Sequence, residues 1–358
     1  MPFSLLRPRG LHWRSLTTLL MGGRGHRVDG PIHLFLCIAD HFEPGWLGAT
    51  PTVRRERVER WLLEYPSFAE GLRDSSGRPP QQTFFYPQEE YEPHLLERLA
   101  ELCRQGFGDV EVHLHHDGDS SDNLREGLES YKETLFHRHG LLRKDENGQI
   151  VYGFVHGNWA LDNSGPHGRW CGVNDEISIL RTTGCYGDFT MPSAPDPAQT
   201  RTVNQIYYAI DDPARPKSHD RGIAARVGAA PPPEALLMVQ GPLMLDWESR
   251  KWGLLPRLEN GDLRGGRPAT MSRFQNWLSA GVGVAGRPDW IFVKLHTHGA
   301  QEANAEVLLG EPARGFHKSL GEWARKDSRI RYYYVTAWQL AQLVHQAEAG
   351  ATEPVFVV

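Results

Sequence analysis

Glu111-Val112-His113-Leu114-His115-His116-Asp117-Gly118-Asp119 is the stretch on which the reading of this chain turns. Apolar residues alternate from Val110, which predicts a strand running through His115. Before it lies a helix pattern that begins at Pro93 and carries Leu95, Leu96, Leu99, Leu102 and Cys103 on one stripe. Gly106 stops it. A helix feeding a strand is the repeating unit of a parallel α/β sheet. This strand ends in three imidazoles and two carboxylates within residues 113–119. The period of two places His113 and His115 on one face and His116 on the other. Neutral imidazole and carboxylate are the ligands that hold Zn, Fe, Mn or Co, so the cluster points to a divalent metal.

The same rhythm recurs on both sides. Ile32 to Ala39 reads as a buried strand ending in Asp40-His41-Phe42-Glu43-Pro44, with a helix from Thr52 after it. Gln82 to Tyr86, Val151 to Val155, Gln205 to Ile210, Ala235 to Gln240, Trp290 to Leu295 and Arg331 to Val335 read as further strands. Helices are expected near Asp122 to Leu135, Asp175 to Thr183 and Ser272 to Leu278. A closing helix is capped by Thr336 and stopped by Gly350. Pro213 to Pro233 reads as a loop. Polar residues stand where strands end: Asp40, His115, His156 and His296. A (β/α) barrel gathers its active site there, so these groups are expected to converge on one site. The expected organisation is a basic segment over 1–29, a single (β/α) barrel over 30–350 and a short tail over 351–358.

Composition narrows the function classes. The chain has 358 residues, 40% hydrophobic and 23% charged, with a net charge of −5. That is enough chain for a sizeable core, and the acidic balance argues against nucleic acid as a partner. Cys37, Cys103, Cys171 and Cys185 form no CxxC pair, so a disulfide framework is not expected. No apolar run reaches the roughly 18 residues that a spanning helix needs. Residues 1–28 hold five arginines and no acid, around the apolar patch Leu16 to Met21. We expect a cytoplasmic protein whose basic N-terminus could touch a membrane surface.

Other residues suit substrate handling. His156, Asn158 and Trp159 form a loop in which an indole can stack on sugar C–H groups and an amide can bond hydroxyls. Asp188 lies in a similar loop, and His298 shares a strand face with His296. His296 is a candidate general acid.

Ile38-Ala39-Asp40-His41, Thr83-Phe84-Phe85, Glu111 to His115 and Lys294-Leu295-His296 stand in an order that resembles the NodB-type polysaccharide deacetylases. The resemblance covers 30–120 and 285–300. It implies a distorted (β/α) barrel and a metal-dependent removal of N-acetyl groups from a carbohydrate or polysaccharide. It puts Asp40, His115, Asp119 and His113 at the metal, zinc in the first place, with Co, Mn, Fe and Ni compatible. It gives catalytic roles to Asp40, His41 and His296, and leaves open whether Asp40 is base or ligand. Two positions depart from the family pattern: His41 replaces the second aspartate of its first motif, and Asp119 stands where its second metal histidine falls. The family's RPPYG-like motif has no counterpart as such. Two alternatives remain. One is a glycan-cleaving hydrolase or lyase using paired carboxylates among Glu43, Glu89, Glu90 and Asp188. The other is a carbohydrate-binding relative without activity.

Overall fold

In the computed structural model, residues 30–356 are described, together with Leu11, Ser15 and Leu19. The expected basic segment therefore lies almost wholly outside the described residues. Its three described members are buried, Leu11 and Leu19 against Ala194, Val203 and Leu243.

The strands, in chain order, are β1 (Ile32–His41), β2 (Gln82–Pro87), β3 (Gly108–Leu114), β4 (Arg143–Lys144), β5 (Ile150–His156), β6 (Cys185–Asp188), β7 (Ile206–Ile210), β8 (Ile223–Ala224), β9 (Ala235–Val239), β10 (Met244–Lys251), β11 (Leu255–Glu259), β12 (Asp262–Leu263), β13 (Trp290–Thr297) and β14 (Ile330–Tyr334). Between them run the helices α1 (Pro51–Ala69), α2 (Pro93–Leu102), α3 (Ser121–Glu133), α4 (Glu176–Thr183), α5 (Met271–Ala280), α6 (Glu302–Leu309), α7 (Glu311–Arg325) and α8 (Ala337–Glu348). The fold is mixed α/β around one large, mostly parallel sheet, ordered β12-β13-β1-β2-β3-β5-β6-β9-β7-β8.

β1 is the hub. One edge pairs with β13 from His33 to Asp40. The other edge is shared: β14 takes Ile32 to Leu36, and β2 takes Ala39 to His41. The closed barrel expected from the sequence is not what the strands form, since β12 and β8 are not paired with each other. The physical reason is the short, antiparallel ending at β7 and β8, which leaves no long strand to meet β13. A single bridge spans the gap. Ala285 N–H bonds the Ala225 carbonyl, Val227 N–H bonds the Ala285 carbonyl, and Phe292 N–H of β13 bonds the Val282 carbonyl.

Strand alternation separates two cores. Leu34 and Leu36 of β1, Val110 and Val112 of β3, and Tyr152 and Phe154 of β5 face the helices α1 to α4 and α7. Phe35, Cys37 and Ala39, with Val155 and Phe292, face the other way and pack with α8. We call these the outer and inner faces. α8 opens with a capping box in which Thr336 and Gln339 each bond the other's backbone N–H. All four cysteines are free thiols. Among the described residues no helix is long and apolar enough to cross a membrane.

Several elements were not read from the sequence, among them those of three stretches. The loop at 213–233 contains β8, the segment 244–259 is the hairpin β10–β11, and residues 302–325 form α6 and α7. Within α7, His317 is buried, its Nδ1 2.9 Å from the Tyr334 hydroxyl. Burial alone pushes its pKa down from 6.5 to about 3. The unfolded chain therefore binds this proton before the folded one does. The stability this neutral imidazole contributes is complete above pH 6.5 and is lost as pH falls towards about 3. His317→Gln is expected to flatten the acid limb of unfolding free energy against pH by about 1.4 kcal/mol per pH unit. Urea titrations across that window check this, and an unchanged slope would sink it.

Candidate metal centre

Where β1, β3 and β13 end, five side chains meet: His41, Glu43, His113, His115 and His298. In each of the triads His41–Glu43–His298 and Glu43–His113–His115, one ligand-type atom per residue lies within 4.8 Å of the others. Glu43 belongs to both. His41 lies 5.1 Å from His113 and 4.8 Å from His298 between ring centroids, and His113 lies 4.6 Å from His115.

Local structure fixes each group. The chain after β1 turns at Glu43-Pro44-Gly45-Trp46. Arg57 of α1 donates to the Pro44 and Trp46 carbonyls at 2.8 and 3.0 Å, and Gly45 N–H donates to Glu90 at 2.5 Å. This clamp aims Glu43 back over the strand ends. His113 Nδ1 stands 2.7 Å from the Val155 carbonyl, which can only accept, so Nδ1 carries the ring proton. Its Nε2 then offers a bare lone pair, 3.1 Å from Glu43 Oε1. His115 Nε2 lies 3.4 Å from the same oxygen, while its Nδ1 lies 2.5 Å from Glu89. His41 Nε2 is buried with no hydrogen-bond partner.

A carboxylate oxygen and an imidazole lone pair held face to face need a positive charge between them. Either a proton or a metal ion supplies it. A tether on one imidazole nitrogen, with the other turned towards a carboxylate, is how proteins orient metal-binding histidines. The electrostatics agree. Burial alone would raise Glu43, but the imidazoles of His113 and His115 prevail and hold it well below the usual carboxylate range. Burial opposes protonation of His115, yet Glu43 and Glu89 together raise it to about 10. His41 is driven far down by burial first and then by the neighbouring imidazoles of His298 and His113, so it stays neutral. Buried His, Glu and Cys groups of this chain could thus hold a metal ion.

The cluster is open on one side. His115 is 32% exposed, and His298 lines a groove of about 670 Å³ with His296, Trp46, Trp159, Arg264 and Arg267. His296 is buried beside it, and its Nδ1 has no partner. Lys294, one strand repeat earlier, is spent on the Phe189 and Met191 carbonyls at 2.6 and 2.7 Å.

The residues picked out in the sequence do not all converge. His41, His113, His115 and His298 come together, with His296 and Trp159 at the adjoining groove. Asp40 lies outside this cluster. It points to the outer face, where it accepts from Gly299 N–H at 2.6 Å and Gln82 Nε2 at 2.8 Å. There it ties the turn that carries His298 to β1, and burial raises it to about 7 against these two bonds. Asp119 and His156 also lie away from His115, on the outer face beside His116. Asp188 is buried against Thr190, and Asn158 is exposed with a left-handed backbone. Glu43 is the member that sequence reasoning missed as a ligand. Its only signal was its place in the loop after β1. The chain matches no protein-family profile, and no curated protein matches it.

Gly157 packs directly beneath the His115 ring, where a Cβ would stand 2.2 Å from its nearest carbon. Gly157→Ala is therefore expected to push His115 away from Glu43 and weaken metal binding about 10–100-fold, as loss of a ligand-orienting contact does. Competition titration against a chelator reads this. Unaltered affinity would remove His115 from the ligand set.

Proposed function

We propose that this chain is a metal-dependent hydrolase that removes an acyl group, N-acetyl in the first place, from a carbohydrate. The observation that carries the reading is Glu43 at 3.1 Å from Nε2 of His113, the ring nitrogen turned away from the Val155 carbonyl, in a cluster open to a groove. Structural metal sites are closed, whereas catalytic ones keep a free position. Open access at His115 and His298 fits the second kind. A divalent ion, zinc in the first place, would supply Lewis acidity and a water ionisable near neutral pH.

The residues do the rest. His41, Glu43, His113, His115 and His298 are the candidate ligands, with Glu89 orienting His115 from behind. His296 has an unpartnered Nδ1 and is kept neutral by burial and the charge of Lys294. A neutral imidazole there suits taking a proton from the attacking water and returning it to the leaving amine. Trp46 and Trp159 line the groove as flat apolar surfaces for sugar rings, and Arg264 and Arg267 add hydrogen-bond donors. Asp40 is a positioning residue in this scheme. The same reading takes the open sheet, with its bridge between Ala225 and Ala285, as a distorted barrel of the NodB type. Zinc and carbohydrate are the cofactor and partner it implies.

Elemental analysis beside an acetate-release assay on N-acetylated amino sugars tests this. His113→Ala is expected to lose the metal of this cluster and to lower acetate release by more than about a hundredfold, beyond what loss of a merely orienting group costs. Asp40→Asn is expected to keep the metal, because one oxygen still accepts from Gly299. Acetate release that survives complete metal removal would overturn the proposal, whereas metal-independent cleavage of a glycosidic bond would favour the paired carboxylates of Glu43 and Glu89.

A further inference from the structure

On the outer face, a second group stands apart from the cluster just described. His116 follows β3, His156 ends β5, Glu176 opens α4, and Cys171 sits in the connection between the last two. One ligand-type atom from each lies within 4.8 Å of the others. His116 Nε2 is 3.2 Å from Glu176 Oε1, His156 Nε2 is 3.8 Å from the same oxygen, and Cys171 Sγ is 3.4 Å from Glu176 Oε2. We propose that these four residues are the ligands of a second, closed metal site that takes zinc or a similar borderline divalent ion and fixes the 157–175 connection.

Each side chain is oriented from behind with its ligand atom turned inward. His156 Nδ1 contacts the Gly157 carbonyl, which assigns the proton to Nδ1 and leaves Nε2 bare. That Nε2 is fully buried and has no hydrogen-bond partner. His116 Nδ1 lies 3.1 Å from Asp119 Oδ2, an ion-pair distance without hydrogen-bond alignment that still sets the carboxylate behind the ring. Cys171 Sγ accepts backbone N–H groups from Asn163 at 3.2 Å and Val173 at 3.4 Å, and such bonds stabilise a thiolate. Glu176 Oε2 accepts Asp162 N–H at 2.6 Å. Two neutral imidazoles, one thiolate and one carboxylate offset a divalent charge, so the assembled site is neutral, as deep burial demands. A thiolate selects zinc, iron or cobalt over magnesium or calcium.

The connection needs such a clasp. Asn158, Trp159, Asp162, Asn163, His167 and Trp170 all have positive φ, an expensive run for residues other than glycine. Two of the bonds that shape it, Asn163 to Cys171 and Asp162 to Glu176, end on proposed ligands. No open position remains, because Cys171, His156 and Glu176 are fully buried.

The test is metal-stripped full-length protein reloaded with Co²⁺ and read by absorption and elemental analysis, with no use of catalytic activity. Wild type and His113→Ala are expected to show a thiolate-to-cobalt charge-transfer band, and Cys171→Ser to lack it although Cys37, Cys103 and Cys185 remain. Wild type should hold two metal equivalents, and each variant one. Absence of the band in wild type overturns the proposal without relying on a variant that folds. A band that persists in Cys171→Ser overturns it equally. One equivalent in wild type, with the band present, supports this site and sinks the catalytic one.

Discussion

The parallel pairing of β1 with β13 is the constraint on which the rest depends. Its register sets Ala39 beside His296 and Asp40 beside Thr297, so the two strand ends finish together. By this register His41 stands one strand repeat beyond His296 on the inner face, their ring centroids 6.3 Å apart. Asp40 locks that arrangement from the opposite face through Gly299 N–H, and Trp61 Nε1–H bonds the Gly299 carbonyl at 3.0 Å. A buried carboxylate bonded to a backbone N–H and an amide has little freedom to move. The turn that delivers His298 is therefore positioned by groups that do not touch the cluster.

Much of this was legible in the sequence, and what was not has physical causes. Alternation along Val110 to His115 predicts the opposed faces of His113 and His116, because strand period is a local property. The mostly parallel α/β sheet follows from the helix–strand rhythm for the same reason. Closure into a barrel is not local: it depends on what the last strands meet, and β7 and β8 end in an antiparallel pair. Glu43 was hidden because Arg57 and Glu90, far along the chain, set the turn that aims it. α7 was hidden because Gly315 and Gly321 interrupt its helical signal, although Phe316, Leu320 and Ala324 form a buried stripe. Asp40 was misleading, since a carboxylate at a strand end looks the same whether it faces a cavity or a helix.

The two faces of the strand ends carry different clusters. Inside, Glu43 and its histidines border a groove. Outside, His156, Cys171 and Glu176 are fully buried, with the half-buried His116 beside them. Neighbouring residues His115 and His116 divide between them. A one-residue slip of β3 would present each to the wrong face, so the register set by β2 and β5 is also what keeps the two candidate clusters distinct.

The shared edge of β1 has a consequence for how the chain is made. Ile32 to Leu36 pair with Ile330 to Tyr334, and α8, which follows, lies against β1, β5 and β6. During synthesis the first strand emerges long before the partner that covers this edge. Until then it is an apolar strand with unmet N–H and C=O groups, a template for aggregation. Pairing at such separation in sequence is slow as well as late. The arrangement that gives β1 three partners thus makes the nascent protein dependent on residues 330–348, made some three hundred residues after β1, and ribosome-bound intermediates should be the state most in need of a chaperone.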